Sequence, residues 1–251
     1  MAGIACEKEY EIHYYEVDYK KRVLITTIID YLSDTATYQS EELNVGINYL
    51  SNQHMAWVLY KWDIDIKKYP MYREKIVVKT EPYSFRKFYA YRKFEITDTH
   101  GQVIVEANSV WLLINTDKRK AVRITEDMYK GYGLDKSENK LLNIKKINSP
   151  IRIDAEKYFN VRYSDIDVNK HVNNVKYVNW VIESIPIDLI KDYKLKSIKV
   201  AYRKETTYGE KIKVITEINN KEKELICLHE ILDSNNKSLT LAETKWVIDK
   251  K

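Results

Sequence analysis

Apolar and polar positions alternate with the period of a β-strand over long stretches of this chain. Tyr10, Ile12 and Tyr14 share one side of YEIHYYEVD (Tyr10–Asp18), and Phe159, Val161 and Tyr163 share one side of FNVRYSDID (Phe159–Asp167). Ile76–Thr80 (IVVKT) and Val103–Ile114 (VIVEANSVWLLI) are rich in the β-branched and aromatic residues that favour strands. Two segments break this rhythm. Arg22–Asp34 (RVLITTIIDYLSD) and Val172–Ser184 (VNNVKYVNWVIES) are expected to be helices. In the second, Val175, Val178, Ile182 and Ile185 recur at helical spacing, and Trp180 and Val181 widen the apolar stripe.

The pattern occurs twice. Tyr10, Ile12, Tyr14, Glu16 and Asp18 match Phe159, Val161, Tyr163, Asp165 and Asp167 at an offset of 149 positions. Glu74–Glu81 (EKIVVKTE) matches Glu210–Glu217 (EKIKVITE) at an offset of 136, and Glu95–Asp98 and Trp111 match Glu230–Asp233 and Trp246 at 135. The fall from 149 to 136 places about 13 extra residues after the first helix of the N-terminal copy. Each copy therefore reads as strand, helix, then several long strands. A helix whose polar face is too narrow for open water needs cover, and the concave side of an antiparallel sheet supplies it. The expected fold is α+β, a tandem (double) hotdog in which each curved antiparallel sheet wraps a long helix. Residues 1–135 would form the N-terminal unit, the polar, lysine-rich 136–150 a linker, and 151–251 the C-terminal unit.

Hydrogen-bonding groups concentrate in Asp165–Trp180 (DIDVNKHVNNVKYVNW), at the start of the second helix. If the chain ahead of that helix is extended, Asp167, Asn169 and His171 lie on one side of it. They would then converge at a helix N-terminus whose unbonded N–H groups favour an oxyanion. Taken singly, each is an ordinary turn or capping residue. The repeat provides a contrast: the N-terminal copy keeps Asp18 at the position of Asp167, but has Lys20 and Arg22 at those of Asn169 and His171. One copy alone is equipped for acid–base chemistry.

The run DIDVNKHVNNVKYVNWVIESIP, followed by Ala201–Thr206 (AYRKET), resembles the signature of the acyl-[acyl carrier protein] thioesterases, and the likeness covers nearly the whole chain. That resemblance implies hydrolysis of fatty acyl thioesters on acyl carrier protein, in fatty acid biosynthesis, by a network of Asp167, Asn169, His171 and Glu205. Asp167 would be the attacking or base carboxylate; Asn169 and His171 would position the reacting groups; Glu205 would orient the histidine or a water. Many plant members carry a cysteine after the glutamate. Here the residue is Thr206, which excludes a thiol nucleophile at that place. The N-terminal unit is expected to be non-catalytic and to supply the acyl-chain pocket from its extra segment, with Ile47, Tyr49, Leu50, Met55, Trp57, Val58, Tyr60 and Trp62. Two other functions stay open. A hotdog acyl-CoA thioesterase would differ only in the carrier, and a non-catalytic acyl-chain binding protein would share only the fold.

Composition narrows the partners further. Lysine and arginine number 42 against 37 acidic residues, a mild excess spread along the chain. Lys191, Lys194, Lys196, Lys199, Arg203 and Lys204 cluster with only Asp192 among them, a candidate docking surface for the acidic carrier and its acyl phosphopantetheine. Phe85–Phe94 (FRKFYAYRKF) interleaves cations and aromatics, but is expected to be a strand with snorkelling cations outside, not a nucleic-acid surface. Cys6 and Cys227 form no CxxC pair and have no histidine cluster, so neither disulfides nor a zinc site is expected, and the cytoplasm fits best. No apolar run of about 18 residues is present for a membrane span. Nucleotide-loop, HExxH and GxSxG motifs are absent, so no cofactor and no metal are expected, while a homodimer is allowed. Alkylating both cysteines should leave hydrolysis largely intact. Complete, stoichiometric inactivation that substrate protects against would restore a thiol mechanism.

Overall fold

The computed structural model describes residues 3–138, 140–142 and 144–249. Along the first half run β1 (Cys6–Glu11), α1 (Ile25–Glu42), α2 (Ile47–Asn52), β2 (Met55–Ile66), β3 (Lys75–Arg86), β4 (Tyr89–Asp98), β5 (Val103–Asn115), β6 (Lys120–Ala121) and α3 (Glu126–Gly131). The second half contains β7 (Ala155–Asn160), α4 (Asn174–Glu183), α5 (Ile187–Ile190), β8 (Tyr193–Tyr202), β9 (Lys211–Lys221), β10 (Glu224–Leu232) and β11 (Ser238–Ile248). The chain divides into two compact units, Met1–Tyr60 with Ile66–Ile144, and Lys61–Asp65 with Lys145–Lys251. Strand order is β1, β3, β4, β5, β2 in the first and β7, β9, β10, β11, β8 in the second.

The offsets of the repeat align the starts of five pairs of elements. At the offset of 149, β1 starts opposite β7 and α1 opposite α4; at 136, β3 starts opposite β9; at 135, β4 and β5 start opposite β10 and β11. Three expectations need correction. Both helices begin later than their apolar patterns, at Ile25 and Asn174, because the preceding residues form isolated strand bridges, Val17 with Val23 and Ile166 with Val172. Most of the extra N-terminal segment lies within the helix, since α4 stops at Glu183, the counterpart of Asp34, whereas α1 continues to Glu42. Finally, Lys61–Asp65 groups with the second unit because it pairs antiparallel with Ala201–Ser197 of β8. In the expected linker 136–150 the described residues carry no helix or strand, and 139 and 143 lie outside them.

Each long helix buries a stripe against its own sheet. In α1, Ile28, Ile29 and Leu32 are fully enclosed and the helix packs on β1 and β3. In α4, Val175, Tyr177, Val178, Trp180 and Val181 are buried and the helix packs on β10. Truncating one such aliphatic side chain to alanine costs about 2–5 kcal/mol. Polar groups enter both cores. Arg92 of β4 is 7% exposed, against the expectation that the cations of this strand lie outside, because alternation places it on the inner face with Ala90 and Phe94. Its guanidinium donates to Gln39 Oε1 of α1 and, at 3.0 Å, to Thr80 Oγ1. A buried charge is tolerated only with such partners. No helix among the described residues is long and apolar enough to cross a membrane.

His229 of β10, the counterpart of Phe94, is fully enclosed in the second unit. Its Nδ1 lies 3.0 Å from Thr216 Oγ1 and 3.4 Å from Ser184 Oγ, and its Nε2 lies 2.9 Å from Thr244 Oγ1. Burial drives its imidazole down to about 3. The unfolded chain therefore takes up a proton near pH 6.5 that the native protein refuses. This contribution to stability is complete above pH 6.5 and falls by up to about 1.4 kcal/mol per pH unit between there and pH 3. Urea unfolding across this range should show a shallower decline for His229→Gln than for wild type. Parallel declines would mean that His229 does not titrate on unfolding.

Candidate functional site

The candidate residues sit in a tight turn closed by the Ile166–Val172 bridge. Asp167 N–H donates to the His171 carbonyl at 2.8 Å, and Lys170 N–H to the Asp167 carbonyl at 3.0 Å. Asp167 Oδ1 accepts the N–H groups of Asn169 at 2.8 Å and His171 at 3.4 Å, and Lys170 takes φ +65°. The segment is thus not extended, as the alternation had implied. A short carboxylate that captures N–H groups two and four residues on folds the chain back over itself. The side-chain amide of Asn169 remains near, its Nδ2 3.5 Å from Asp167 Oδ2. His171 Nδ1 meets Glu205 Oε2 at 2.7 Å, the two side chains 35% and 40% exposed. The turn thus gathers three of the candidates, and Glu205 arrives from the segment after β8.

The same turn exists in the first unit. Asp18 N–H donates to the Arg22 carbonyl at 2.8 Å, Lys21 N–H to the Asp18 carbonyl at 2.9 Å, and Lys21 takes φ +62°. Asp18 Oδ1 accepts from Lys20 N–H at 2.8 Å and Arg22 N–H at 2.9 Å. An aspartate here builds a turn in either unit, so its presence alone is no sign of chemistry. Arg22, at the position of His171, lies 5.9 Å over the ring of Tyr69, the counterpart of Glu205.

The start of α4 is more fully engaged than expected for an oxyanion site. Asn173 N–H donates to the Asp165 carbonyl, Val175 N–H to Asn173 Oδ1 at 3.0 Å, and Lys176 N–H to the Asn173 carbonyl. Asp165, fully enclosed, anchors this corner. Burial pushes its carboxyl up, but the guanidinium and N–H of Arg162 outweigh burial and hold it below the usual carboxylate range.

Two tyrosines at the site were not singled out from sequence. Thr206 N–H donates to the Tyr177 hydroxyl at 3.0 Å, and the Tyr202 hydroxyl donates to the Asn174 carbonyl at 3.1 Å. The signal was available in the repeat, where Tyr177, Tyr202 and Thr206 face Ile28, Ile66 and Pro70. Cys227 is buried, which pushes its thiol up to about 12, and no group of three or more His, Cys, Asp or Glu residues among those described could hold a metal. The basic cluster is largely neutralised. Lys191 pairs with the nearby Asp188 of α5, while Lys196 pairs with Asp65, Lys199 with Glu243, Arg203 with Glu230 and Lys204 with Asp233, acids distant in sequence.

The description "Acyl-ACP thioesterase N-terminal domain" matches residues 3–132, and "Acyl-ACP thioesterase C-terminal domain" matches residues 148–248. Oleoyl-acyl carrier protein thioesterase 2, chloroplastic, of Arabidopsis thaliana is 29% identical over 223 residues, 81% of this chain and 60% of its own length. Dodecanoyl-[acyl-carrier-protein] hydrolase, chloroplastic, of Cinnamomum camphora is 21% identical over 259 residues, 97% of this chain and 68% of its own. A solved structure from Lactobacillus plantarum, provisionally described as an oleoyl thioesterase, superimposes with a TM-score of 0.89 at 25% identity, covering 99% of this chain and 98% of that one. The fold is a double hotdog. With both domains matched in order across nearly all of its length, the chain belongs to the acyl-ACP thioesterase family.

Proposed function

We propose that this protein hydrolyses fatty acyl thioesters of acyl carrier protein, releasing free fatty acid in fatty acid biosynthesis. The observation that carries this reading is the 2.7 Å contact between His171 and Glu205 in the second unit, in a chain of this family. Glu205 accepts the Nδ1 proton, which fixes the tautomer and leaves Nε2 as the base. Water attacks the thioester carbonyl carbon as Nε2 takes its proton, and Glu205 stabilises the imidazolium. Asn169 Nδ2 donates to the oxyanion. The carbon–sulfur bond then breaks, and His171 returns the proton to the departing phosphopantetheine sulfur. Asp167 keeps Oδ1 in the turn, so its contribution to the reaction comes through Oδ2 beside Asn169.

The second reading, hydrolysis of acyl-CoA, shares this chemistry and differs in the carrier; with five of the six clustered cations ion-paired, the basic cluster does not by itself choose between two acidic carriers. Rates on acyl carrier protein and CoA thioesters of equal chain length separate the two. A cytoplasmic location and a homodimer are proposals of the same kind; the first rests on the two unpaired cysteines.

His171→Ala and Glu205→Gln should each lower kcat by roughly 100-fold or more, as expected for loss of a general base or its partner. Asp167→Asn keeps an Oδ1 acceptor for the turn and removes the charge at Oδ2, and should also be impaired. Arg22→Ala should hydrolyse at the wild-type rate. A fully active His171→Ala protein would remove the mechanism.

The first unit is proposed to set acyl-chain length. Of the residues expected to line the pocket, Leu50 and Met55 are buried in a cluster with Phe85, Met128 and Tyr129, and Trp57 packs against it, 5.9 Å from Phe85. Ile47 and Tyr60 are exposed, and Trp62 belongs to the second unit. Tyr49 packs against the same cluster, so the candidates narrow to Tyr49, Leu50, Met55 and Trp57. Replacing Met55 or Trp57 by alanine should shift the length of the released acids gradually, since one methylene is worth about 1–3 kcal/mol in an apolar pocket. Lower stability with an unchanged product profile would make these residues core alone.

A further inference from the structure

Glu205 lies on irregular backbone between the end of β8 at Tyr202 and the start of β9 at Lys211. A carboxylate on such a segment needs an anchor if it is to hold an imidazole in one orientation. The backbone on its C-terminal side is fixed twice. The Thr206 carbonyl accepts from Val172 N–H at 3.0 Å, and Thr206 N–H donates to the Tyr177 hydroxyl at 3.0 Å. Tyr177 stands on α4, is 2% exposed, and its ring is held edge-on by Trp180 and Tyr202 at 5.4 and 5.8 Å.

The first unit shows which of these bonds belongs to the scaffold. The carbonyl bond is kept there, Val23 N–H donating to the Pro70 carbonyl at 3.0 Å. The other bond has neither of its members. Ile28 stands at the position of Tyr177 and has no hydroxyl, and Pro70 stands at the position of Thr206 and has no N–H. Ile66 likewise replaces Tyr202, whose hydroxyl ties the end of β8 to the first turn of α4. The tyrosine bonds therefore accompany His171 and Glu205, and disappear together where Arg22 and Tyr69 replace that pair. Burial, together with the charges of Glu205 and Asp167, pushes the Tyr177 phenol up to about 12 even though the Thr206 N–H pulls it down, so it stays protonated at neutral pH and is close enough to feel both carboxylates.

We propose that Tyr177 is a positioning residue for the thioesterase reaction, latching the backbone at Thr206 to α4 so that Glu205 is held against His171. This rests on the hydrolase reading above. The latch sets the geometry of a proton-transferring pair, and a misplacement of about 1 Å in such a pair costs up to about 100-fold in rate.

Four variants test it on the full chain: Tyr177→Phe, Thr206→Pro, their double, and Thr206→Ala. Proline suits the Thr206 position because Pro70 occupies its counterpart with the carbonyl bond intact, and alanine removes the threonine side chain while retaining the N–H. Tyr177→Phe and Thr206→Pro should each lower kcat about 10- to 100-fold with KM little changed. The double variant should be no slower than the slower single one, because both remove one bond. Thr206→Ala should match wild type. Full activity in Tyr177→Phe, additive losses in the double variant, or an impaired Tyr177→Phe beside a normal Thr206→Pro would overturn the latch. A wild-type protein that hydrolyses no acyl thioester would defeat the hydrolase reading instead. The latch is then decided by a crystal structure of Tyr177→Phe, in which an opened His171–Glu205 contact supports it and an unchanged one overturns it.

Discussion

One carboxylate oxygen organises the approach to each long helix. Oδ1 of Asp18 in the first unit and of Asp167 in the second captures two backbone N–H groups, turns the chain through a left-handed lysine and delivers it to the helix by a short strand bridge. The proposed chemistry depends on that turn. It fixes where residue 171 leaves the backbone, and hence whether an imidazole there can reach the carboxylate of Glu205 in the segment between β8 and β9. Because the turn uses backbone donors and a single acceptor, the intervening side chains are free to vary. Lys20 and Arg22 occupy it as well as Asn169 and His171 do.

The two cores use the same hydroxyl positions for different purposes. Thr80 and its counterpart Thr216 both face inward, one accepting from the Arg92 guanidinium, the other meeting the His229 imidazole. Trp111 Nε1–H donates to Ser109 just as Trp246 Nε1–H donates to Thr244. An orphaned buried polar group costs about 1–3 kcal/mol. A substitution at one of these paired hydroxyls therefore bears on the partner it serves in the neighbouring strand.

Much of this was legible in the sequence. The three offsets located the strand starts because period-2 alternation and recurrent glutamates survive in both copies. The helix starts were misread because the apolar pattern of Val23 and Val172 continues smoothly across the strand bridges ahead of α1 and α4. Asp-Val-Asn-Lys-His fits an alternating strand as well as an aspartate turn, and nothing local decides between them. Arg92 was misplaced by assuming that a cation stays outside, although alternation with Ala90 and Phe94 already put it within. The pairing of His171 with Glu205 joins residues far apart in sequence, and resemblance alone pointed to it. Tyr177 escaped notice because a tyrosine on an apolar helix face reads as core until its counterpart, Ile28, is set beside it.

Pro70 makes the difference between the units a matter of several coordinated positions. A histidine at position 22 would still face Tyr69 at the place of Glu205, and a glutamate at position 69 would still face Arg22 at the place of His171; in either case the backbone nitrogen of Pro70 has no hydrogen to give and Ile28 has no hydroxyl to receive one. No single substitution in the first unit therefore builds the contact that the second unit holds, and the longer α1, which reaches Glu42, adds a further difference in the backbone itself.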